Sequence, residues 1–249
     1  MSGSVLLVDI GNSRVKWGFG RDGRVAPGEP FATAALAESL PRRWGGHPPP
    51  SRIVACTVAG LDKIRTVQAW TERRWQMAPL WAQSAAAGFG VVNGYANPEK
   101  LGVDRWVALI GARRGCAGPV CVADCGTAIT FDALDADGRH LGGWIAPGLA
   151  LMRQSLARGT HGLPLAELEC QSHLARDTLA GIVGGTLQAA AGLVERGVRA
   201  AARDAGGAFR LLLTGGDAPA IAAELDMPHE LRPELVLEGL LAMAEGLPG

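Results

Sequence analysis

One pattern of apolar and polar residues occurs twice in this chain. In each copy a run of apolar residues ends in Asp-x-Gly and then in small hydroxyl or amide side chains, at residues 5–13 and again at residues 120–128. An apolar run of this length that ends in a carboxylate and a glycine predicts a buried strand entering a tight turn. Two copies, nearly half a chain apart, predict two similar half-molecules that face each other across a cleft.

The pattern between and after the two copies predicts further strands and helices. After the first turn the apolar residues Val15, Trp17 and Phe19 alternate with other positions, which is the period of a half-buried strand. Apolar or alternating runs predict four more strands, at residues 52–57, 129–134, 141–145 and 211–213. Spacings of three and four predict helices at residues 34–40, 61–74, 103–113, 148–156, 183–201 and 235–245.

The order of these elements predicts a duplicated α/β fold. Gly118 and Pro119 form the natural hinge, so the predicted domains are residues 1–117 and 118–249. The segment 88–98 is predicted to be irregular. Glycine-rich turns follow the strands, and open α/β sheets bind their ligands at strand ends.

Composition narrows the classes of function and the cellular compartment. The chain has 249 residues, 48% of them hydrophobic, with 24 basic and 24 acidic side chains. This balance argues against nucleic acid as the main partner, because phosphate neutralisation needs a basic surface. No apolar run is long enough for a membrane span or a signal sequence, so we expect a cytoplasmic protein.

The five cysteines lack the spacing of a disulfide framework. Reduced cytoplasmic thiols are therefore the simpler interpretation. A zinc site at Cys121 and Cys125 is the alternative, but no His–Cys partner pair follows them.

The first Asp-x-Gly turn could hold phosphate groups. Its backbone N–H groups and the side chains of Asn12 and Ser13 would bind an oxyanion, Asp9 would hold a hydrated Mg²⁺, and Lys16 could reach a terminal phosphate. The alternative is a hairpin with an Asx turn and a solvated lysine. The chain has no G-x-x-x-x-G-K-[ST] sequence, so this is not a Walker-type site.

The second copy strengthens the phosphate hypothesis. A buried strand rarely ends in an unpaired carboxylate, because desolvation would be costly. Asp9 and Asp124 therefore predict two carboxylate acceptors at fixed positions, whose simplest role is in binding a cation and phosphates. A third glycine-rich strand end, at residues 214–217, is either a plain turn or an adenosine pocket.

Four motifs together resemble one family. They are Asp9-x-Gly-Asn-Ser, Gly102-Val103-Asp104-Arg105, Asp124-x-Gly-Thr-Ala-x-Thr130 and Gly142-Gly143-x-Ile145-x-Pro147-Gly148. In this order and spacing they resemble the type III pantothenate kinases, a branch of the acetate/sugar kinase–Hsp70–actin superfamily. The first and third motifs are shared across that superfamily, whereas the second and fourth are more specific to the family.

The resemblance implies the fold, the reaction and the nucleotide site. It implies duplicated actin-like or ribonuclease H-like halves, with mixed sheets flanked by helices and a cleft between the halves. The implied reaction is ATP-dependent phosphorylation of the primary hydroxyl of pantothenate, the first step toward coenzyme A. The residues implied to bind ATP are Asp9, Ile10, Gly11, Asn12, Ser13, Arg14, Val15, Lys16 and Thr127.

The resemblance also implies the substrate and cation sites. The implied pantothenate site consists of Tyr95, Gly102, Val103, Asp104 and Arg105, joined by Thr178 from the second subunit of a homodimer. Asp104 would accept the hydroxyl proton. Asp124 would hold a monovalent cation, K⁺ or NH₄⁺, which the family uses beside Mg²⁺.

Elementary chemistry is compatible with these roles. Asp104 and Arg105 begin a predicted helix, and both the helix N-terminus and the guanidinium favour the carboxylate form, so Asp104 should be a weak base. Phosphoryl transfer passes through a loose transition state, so orientation of the hydroxyl with late proton uptake suffices. A planar guanidinium such as that of Arg105 suits the carboxylate of pantothenate.

Each of these residues also has a purely structural alternative. Asp104 could be a helix N-cap worth about 1 kcal/mol. Arg105 could be a surface residue paired with Glu99 or Asp104, and Tyr95 a packed aromatic with a hydrated hydroxyl. His161, in a predicted loop, could contact substrate or simply be solvated.

The chain departs from the family pattern at two residues, and two alternative functions are compatible with its motifs. Ser13 replaces the commoner Thr and keeps the hydroxyl, whereas Asp177 adds a negative charge beside Thr178, where Asn is usual. The rivals are another small-molecule kinase of the superfamily and a non-catalytic nucleotide-binding regulator. The intact set of Asp9, Asp104 and Asp124 argues against the regulator. Glycines near residues 181–192 allow close helix packing, either within one subunit or between two.

Overall fold

The apolar runs in the two copies of the repeated pattern form the central strands of two similar sheets. The computed structural model describes residues 3–166 and 174–246. The elements up to the predicted hinge are β1 (Val5–Ile10), β2 (Arg14–Arg21), β3 (Arg24–Pro27), β4 (Phe31–Ala32), α1 (Leu36–Trp44), β5 (Arg52–Thr57), α2 (Leu61–Trp75), β6 (Leu80–Trp81), β7 (Ala87–Gly88), β8 (Val91–Val92) and α3 (Val103–Gly115). The later elements are β9 (Val120–Cys125), β10 (Ala128–Leu134), β11 (His140–Pro147), α4 (Leu149–Gly159), α5 (Thr178–Ala205), β12 (Arg210–Thr214), α6 (Ala218–Ala222), β13 (Glu230–Leu231) and α7 (Leu235–Gly246).

The two larger sheets have the same strand order. The first runs β3-β2-β1-β5-β6, with β4 added beside β2, and the second runs β11-β10-β9-β12-β13. In each sheet the central strand pairs antiparallel with the next strand of the chain and parallel with the strand that follows the intervening helices. This correspondence confirms the predicted duplicated α/β fold with mixed sheets and flanking helices.

The first sheet is covered by helices because its strands are apolar. One buried cluster joins the sheet to α1 and α2 and includes Leu6, Val8, Ile10, Trp44 and Val67. In the second sheet, Ala123, Phe131 and Leu213 pack with residues of α5 such as Val183 and Val194. Burial of this apolar surface is the main favourable contribution to folding.

Contacts between Cα atoms divide the chain into two units, and each is described separately. The first unit contains the described residues up to Ala117, then Asp137–His140 and the residues from Glu234 onward; the second contains Gly118–Ala136 and the described residues of 141–233. The predicted domain 118–249 had included α7. The packing places α7 against α3 instead, and glycines allow the two helices to approach closely. A Cβ added at Gly111 of α3 would lie 2.3 Å from the Leu235 carbonyl oxygen, and a Cβ added at Gly239 of α7 would lie 2.0 Å from the Val107 carbonyl oxygen.

Several element boundaries differ from the predictions for local reasons. The predicted helix 34–40 begins as a 3₁₀ turn at Thr33–Ala35, and α1 continues to Trp44. Helix α5 begins five residues earlier than predicted, because Asp177 caps it by accepting a hydrogen bond from the Ala180 N–H over 2.9 Å. The segment predicted to be irregular contains the β7–β8 hairpin, with positive φ at Phe89 and Gly90.

No helix within residues 3–166 and 174–246 is long and apolar enough to cross a membrane.

Candidate active site

The first Asp-x-Gly turn connects β1 to β2 in the first unit. Asp9 is the cross-strand neighbour of Lys16, and the fully buried Ile10 is the neighbour of Val15. The Gly11 N–H donates to the Arg14 carbonyl over 3.0 Å, which closes the turn. Asn12, Ser13 and Arg14 are exposed, whereas Asp9 and Lys16 are partly buried. The structure thus gathers the predicted residues 9–16 around one exposed turn, with its acidic and basic side chains adjacent.

Residues outside the motif also contact this region. The Cys56 thiol, on the neighbouring strand β5, donates to Asp9 Oδ1 over 3.4 Å. Thr33 bonds the turn twice, from its hydroxyl to the Gly11 carbonyl over 2.8 Å and from its N–H to the Ser13 carbonyl over 3.0 Å. Neither residue was among the candidates from sequence, because both reach the turn through strand pairing rather than through nearness in the chain.

Glu234 adds a carboxylate near Lys16. Burial raises the pKa of the half-buried Glu234 carboxyl, the Lys16 charge acts in the opposite direction, and Glu238 raises it further. Glu234 directly precedes α7 and belongs to the first unit. The local field at Lys16 therefore depends on a residue far away in the sequence.

The Gly-x-Asp-Arg motif forms the start of α3. Gly102 is the N-cap residue and makes no side-chain cap, and Asp104 lies in the first turn. Asp104 Oδ1 accepts a hydrogen bond from the Arg105 N–H over 2.8 Å. This is one of the four N–H groups that a helix start leaves without an intrahelical partner. Asp104 therefore supports the helix start without being its N-cap, and its side chain is only partly buried.

Arg105 is a buried residue and not the surface arginine of the alternative interpretation. Its exposed fraction is 5%. Its Nη1 donates to the Tyr95 hydroxyl over 2.8 Å, and its Cζ lies 5.6 Å from the centre of the Tyr95 ring. The Tyr95 ring also stacks with His140, at 5.9 Å between centroids and 16° between planes. The predicted substrate residues Tyr95 and Arg105 are thus in direct contact.

Asn93 fixes the loop that carries Tyr95. Its Nδ2 donates to the carbonyls of Ala85 and Pro98, each over 3.1 Å, and its Oδ1 accepts from the Tyr95 N–H over 3.0 Å. The side chain is buried, so these bonds satisfy polar atoms that would otherwise be costly. Asn93 was not among the residues predicted from the sequence.

The second Asp-x-Gly turn connects β9 to β10 in the second unit. Asp124 is the cross-strand neighbour of Thr130 on one side and of Thr214 on the other. Thr127 is exposed, and its carbonyl accepts a hydrogen bond from the Gly148 N–H over 2.9 Å. The third and fourth motifs of the sequence therefore meet at this turn.

The third glycine-rich strand end also lies against this turn. Gly215 has φ +96°, and a Cβ there would come within 2.3 Å of the Cys125 carbonyl oxygen and 2.6 Å of Asp124 Oδ1. The Asp217 N–H donates to the same Cys125 carbonyl over 2.9 Å. Only glycine leaves the space in front of these two oxygens open. Asp217 is a further carboxylate at this site whose part the sequence did not reveal.

The thiols of Cys121 and Cys125 in the second sheet are disfavoured as thiolates. Burial raises the pKa of the Cys125 thiol to about 12, and the charges of Asp124 and Asp217 act in the same direction. Burial, with Asp132, likewise raises the pKa of the Cys121 thiol to about 12. Metals bind thiolates, so this environment opposes the zinc alternative. In the part of the chain that the structure describes, no three His, Cys, Asp or Glu side chains cluster as metal ligands.

Thr178, the remaining predicted substrate residue, is the first residue of α5. It lines an open groove of about 440 Å³ between α4 and α5, together with Met152, Leu156, Gly181 and Gly185. Asp177 uses its carboxylate to cap the helix. His161 is exposed in the turn after α4.

Solved structures resemble this chain in fold. A Campylobacter jejuni protein named as a transcriptional activator of the Baf family is 20% identical, with a TM-score of 0.59 over 97% of this chain and 100% of that one. A Sinorhizobium meliloti protein named as a 2-dehydro-3-deoxygalactonokinase is 18% identical, with a TM-score of 0.60 over 98% and 100%. At these identities the likeness shows the fold alone, which is the actin-like fold of the sugar kinases.

Closer relatives identify the family. The type III pantothenate kinase of Nitrosococcus oceani is 38% identical over 254 residues, covering 97% of this chain and 94% of the relative. That of Halorhodospira halophila is 41% identical over 247 residues, covering 95% and 96%. The family model for type III pantothenate kinases matches residues 5–200. Together with the four motifs and the two similar sheets, these matches show that the chain belongs to the type III pantothenate kinases.

Proposed function

We propose that the chain transfers the terminal phosphoryl group of ATP to the primary hydroxyl of pantothenate, with Asp104 as the residue that orients this hydroxyl and accepts its proton. The observation that carries the proposal is the start of α3, where a partly buried carboxylate directly precedes the buried Arg105 that contacts Tyr95. One helix turn thus supplies both a proton acceptor and a fixed cation.

Arg105 and Tyr95 would bind the carboxylate end of pantothenate. A guanidinium held by a hydrogen bond loses little conformational freedom when it meets a carboxylate, and planar pairing of the two groups is strong. Substrate held at this end places its hydroxyl for reaction, and such positioning accounts for much of the acceleration in phosphoryl transfer. Asp104 would act late, as the bond to phosphorus forms and the hydroxyl proton becomes acidic.

The turn from Asp9 to Lys16 would bind the phosphates of ATP. Asn12 and Ser13 are exposed at its tip, and Lys16 adds a positive charge beside Asp9. A partly buried carboxylate with oxygen donors suits Mg²⁺, which would neutralise charge on the transferred phosphate. Asp9 would hold this ion, and Thr127 would also contact ATP.

Asp124 would hold the monovalent cation. Its Oδ1 and the Cys125 carbonyl oxygen both border the space that a side chain at residue 215 would fill. Carboxylate and carbonyl oxygens are suitable ligands for K⁺, and NH₄⁺ could donate hydrogen bonds to the same atoms. The cation would offset negative charge near the nucleotide.

We further propose a homodimer formed across the groove between α4 and α5. Gly181, Gly185 and Ala189 recur on one face of α5, and open space surrounds the first two. Small residues allow helices to approach closely. Thr178 of the partner subunit would then complete the pantothenate site. A cytoplasmic location accords with the reduced thiols of Cys56, Cys116, Cys121 and Cys125.

A substrate panel tests the reaction itself. Purified protein is incubated with ATP, Mg²⁺ and K⁺, and with pantothenate, glucose, N-acetylmannosamine, acetate or no acceptor, while ADP and phosphorylated product are measured. We expect acceptor-dependent ADP only with pantothenate, and an equal amount of 4′-phosphopantothenate. ADP formation with a sugar or acetate instead would favour another kinase of the superfamily. Nucleotide binding without any acceptor-dependent ADP would favour the regulator.

A further inference from the structure

We infer that Thr33 is a positioning residue that sets the orientation of the peptide groups in the phosphate turn. This inference rests on the proposed role of residues 9–16 in binding ATP. Thr33 lies outside the four motifs, at the start of a 3₁₀ turn that follows β4. Strand β4 pairs with β2, with Phe31 opposite Val15, so the sheet carries Thr33 to the turn.

Thr33 holds the turn at two carbonyls, those of Gly11 and Ser13. Its hydroxyl donates to the Gly11 carbonyl over 2.8 Å and its N–H donates to the Ser13 carbonyl over 3.0 Å. Its exposed fraction is 3%, so water competes poorly for these bonds.

Because the peptide bond is planar, a hydrogen bond that holds a carbonyl also fixes the direction of the N–H in the same peptide. In a trans peptide the C=O and N–H groups point in opposite directions. With the Gly11 carbonyl held toward Thr33, the Asn12 N–H of the same peptide points away from Thr33. The second bond fixes the plane of the peptide that follows Ser13. Backbone N–H groups held in one direction are what an anion-binding turn requires.

Loss of the Thr33 hydroxyl would leave the Gly11 carbonyl unsatisfied and its peptide free to rotate. The N–H that faces phosphate in one orientation would then be replaced for part of the time by a repulsive carbonyl oxygen. The effect should fall on phosphate binding and spare contacts with adenosine or pantothenate. Thr33 would act through the turn and not on the substrate directly.

The test uses Thr33→Val, which keeps the shape of the side chain and removes the hydroxyl, and Thr33→Ser, which keeps the hydroxyl. Thr71→Val is the matched control, since Thr71 is fully buried and its hydroxyl bonds the Gln68 carbonyl within α2. Titration calorimetry measures binding of adenylyl imidodiphosphate with Mg²⁺, and of adenosine, without any acceptor. Thr33→Ala serves in the same way if Thr33→Val does not fold.

We expect Thr33→Val to weaken binding of the triphosphate analogue about tenfold. Thr33→Ser and Thr71→Val should stay within about twofold of the wild type, and adenosine should bind all variants alike. Unchanged binding of the triphosphate analogue by Thr33→Val would overturn the inference. So would equal losses in the Val and Ser variants, or an equal loss for adenosine. These results do not depend on the acceptor, so a wild type that binds the analogue but ignores pantothenate would refute the kinase reaction alone.

Discussion

Arg105 donates a hydrogen bond from Nη1 to the Tyr95 hydroxyl over 2.8 Å, although the two residues lie on separate segments, a loop after β8 and the first turn of α3. A buried guanidinium needs partners, because an uncompensated charge in the interior is costly. The Tyr95 hydroxyl is one such partner, and this hydrogen bond helps to fix the orientation of the guanidinium. The pair is therefore suited to receive a carboxylate.

Tyr95→Phe tests this pairing. The substitution removes only the hydroxyl and keeps the ring that stacks on His140. Hydrogen bonds to charged groups contribute about 1.5–3 kcal/mol, so we expect the KM for pantothenate to rise about tenfold or more. The KM for ATP should not change. Steady-state kinetics with each substrate varied in turn measures both, and an unchanged KM for pantothenate would show that Tyr95 has no part in substrate binding.

Gly215→Ala tests the space beside Asp124. The new methyl group would collide with the Cys125 carbonyl and Asp124 Oδ1, in addition to the strain of a positive φ. Gly207→Ala is the matched control, because Gly207 has φ +82° but nothing within 4 Å of its Cβ position.

Both glycine variants should lose about 1 kcal/mol or more of stability, from backbone strain. Only Gly215→Ala should lose the stimulation of activity by K⁺ or NH₄⁺ relative to Na⁺. A titration of activity against each cation measures this. Normal K⁺ stimulation in Gly215→Ala, or a wild type equally active in Na⁺ alone, would remove the cation assignment of Asp124.

The buried thiols predict how stability depends on alkaline pH. The unfolded chain releases the Cys121 and Cys125 protons near pH 9.0, whereas the folded protein holds them to about pH 12. Between these values the unfolded state binds fewer protons, so the free energy of unfolding falls as pH rises. Each thiol contributes a slope of about 1.4 kcal/mol per pH unit.

Urea unfolding under reducing conditions, at several values from about pH 8 to about pH 10.5, measures this slope. The Cys121→Ala, Cys125→Ala double variant should be less stable at neutral pH but show a flatter decline. The same slope in both proteins would mean that these thiols ionise as readily when folded as when unfolded.

Gly185→Arg tests the proposed dimer. Arginine favours helix over glycine, so α5 itself should not be weakened, but the side chain would fill the groove beside Thr178. We expect a dimer of the wild type to become a monomer in sedimentation, with weaker pantothenate binding. Gly46→Arg adds the same side chain at an exposed loop glycine with open space around it and should leave the dimer intact. A dimeric Gly185→Arg variant would place the interface elsewhere.

The sequence was informative where one local pattern determines the structure. Strand β5 has the predicted bounds, because its central residues are all buried and its ends are marked by polar positions. The start of α3 at Val103 was likewise predictable, from the apolar spacing of Trp106, Leu109 and Ile110. The hairpin at Phe89 was not, since a phenylalanine with φ +53° gives no turn signal.

Features made by distant segments could not be predicted in this way. Cys56 and Thr33 reach the first turn through the pairing of β5 and β4, and no nearby pattern marks either. The membership of α7 in the first unit depends on close contact at Gly111 and Gly239, which only the folded chain reveals.

The most direct test of the account is the turnover of Asp104→Asn. Asparagine keeps the oxygen that accepts from the Arg105 N–H but cannot take up the hydroxyl proton. With pantothenate, ATP, Mg²⁺ and K⁺, we predict that kcat falls about 10²–10⁴-fold while ATP affinity stays within a few fold. Glu99→Gln, which removes an exposed charge near the same helix, should keep wild-type turnover. Wild-type turnover in Asp104→Asn would contradict the central claim that Asp104 accepts the proton of the pantothenate hydroxyl.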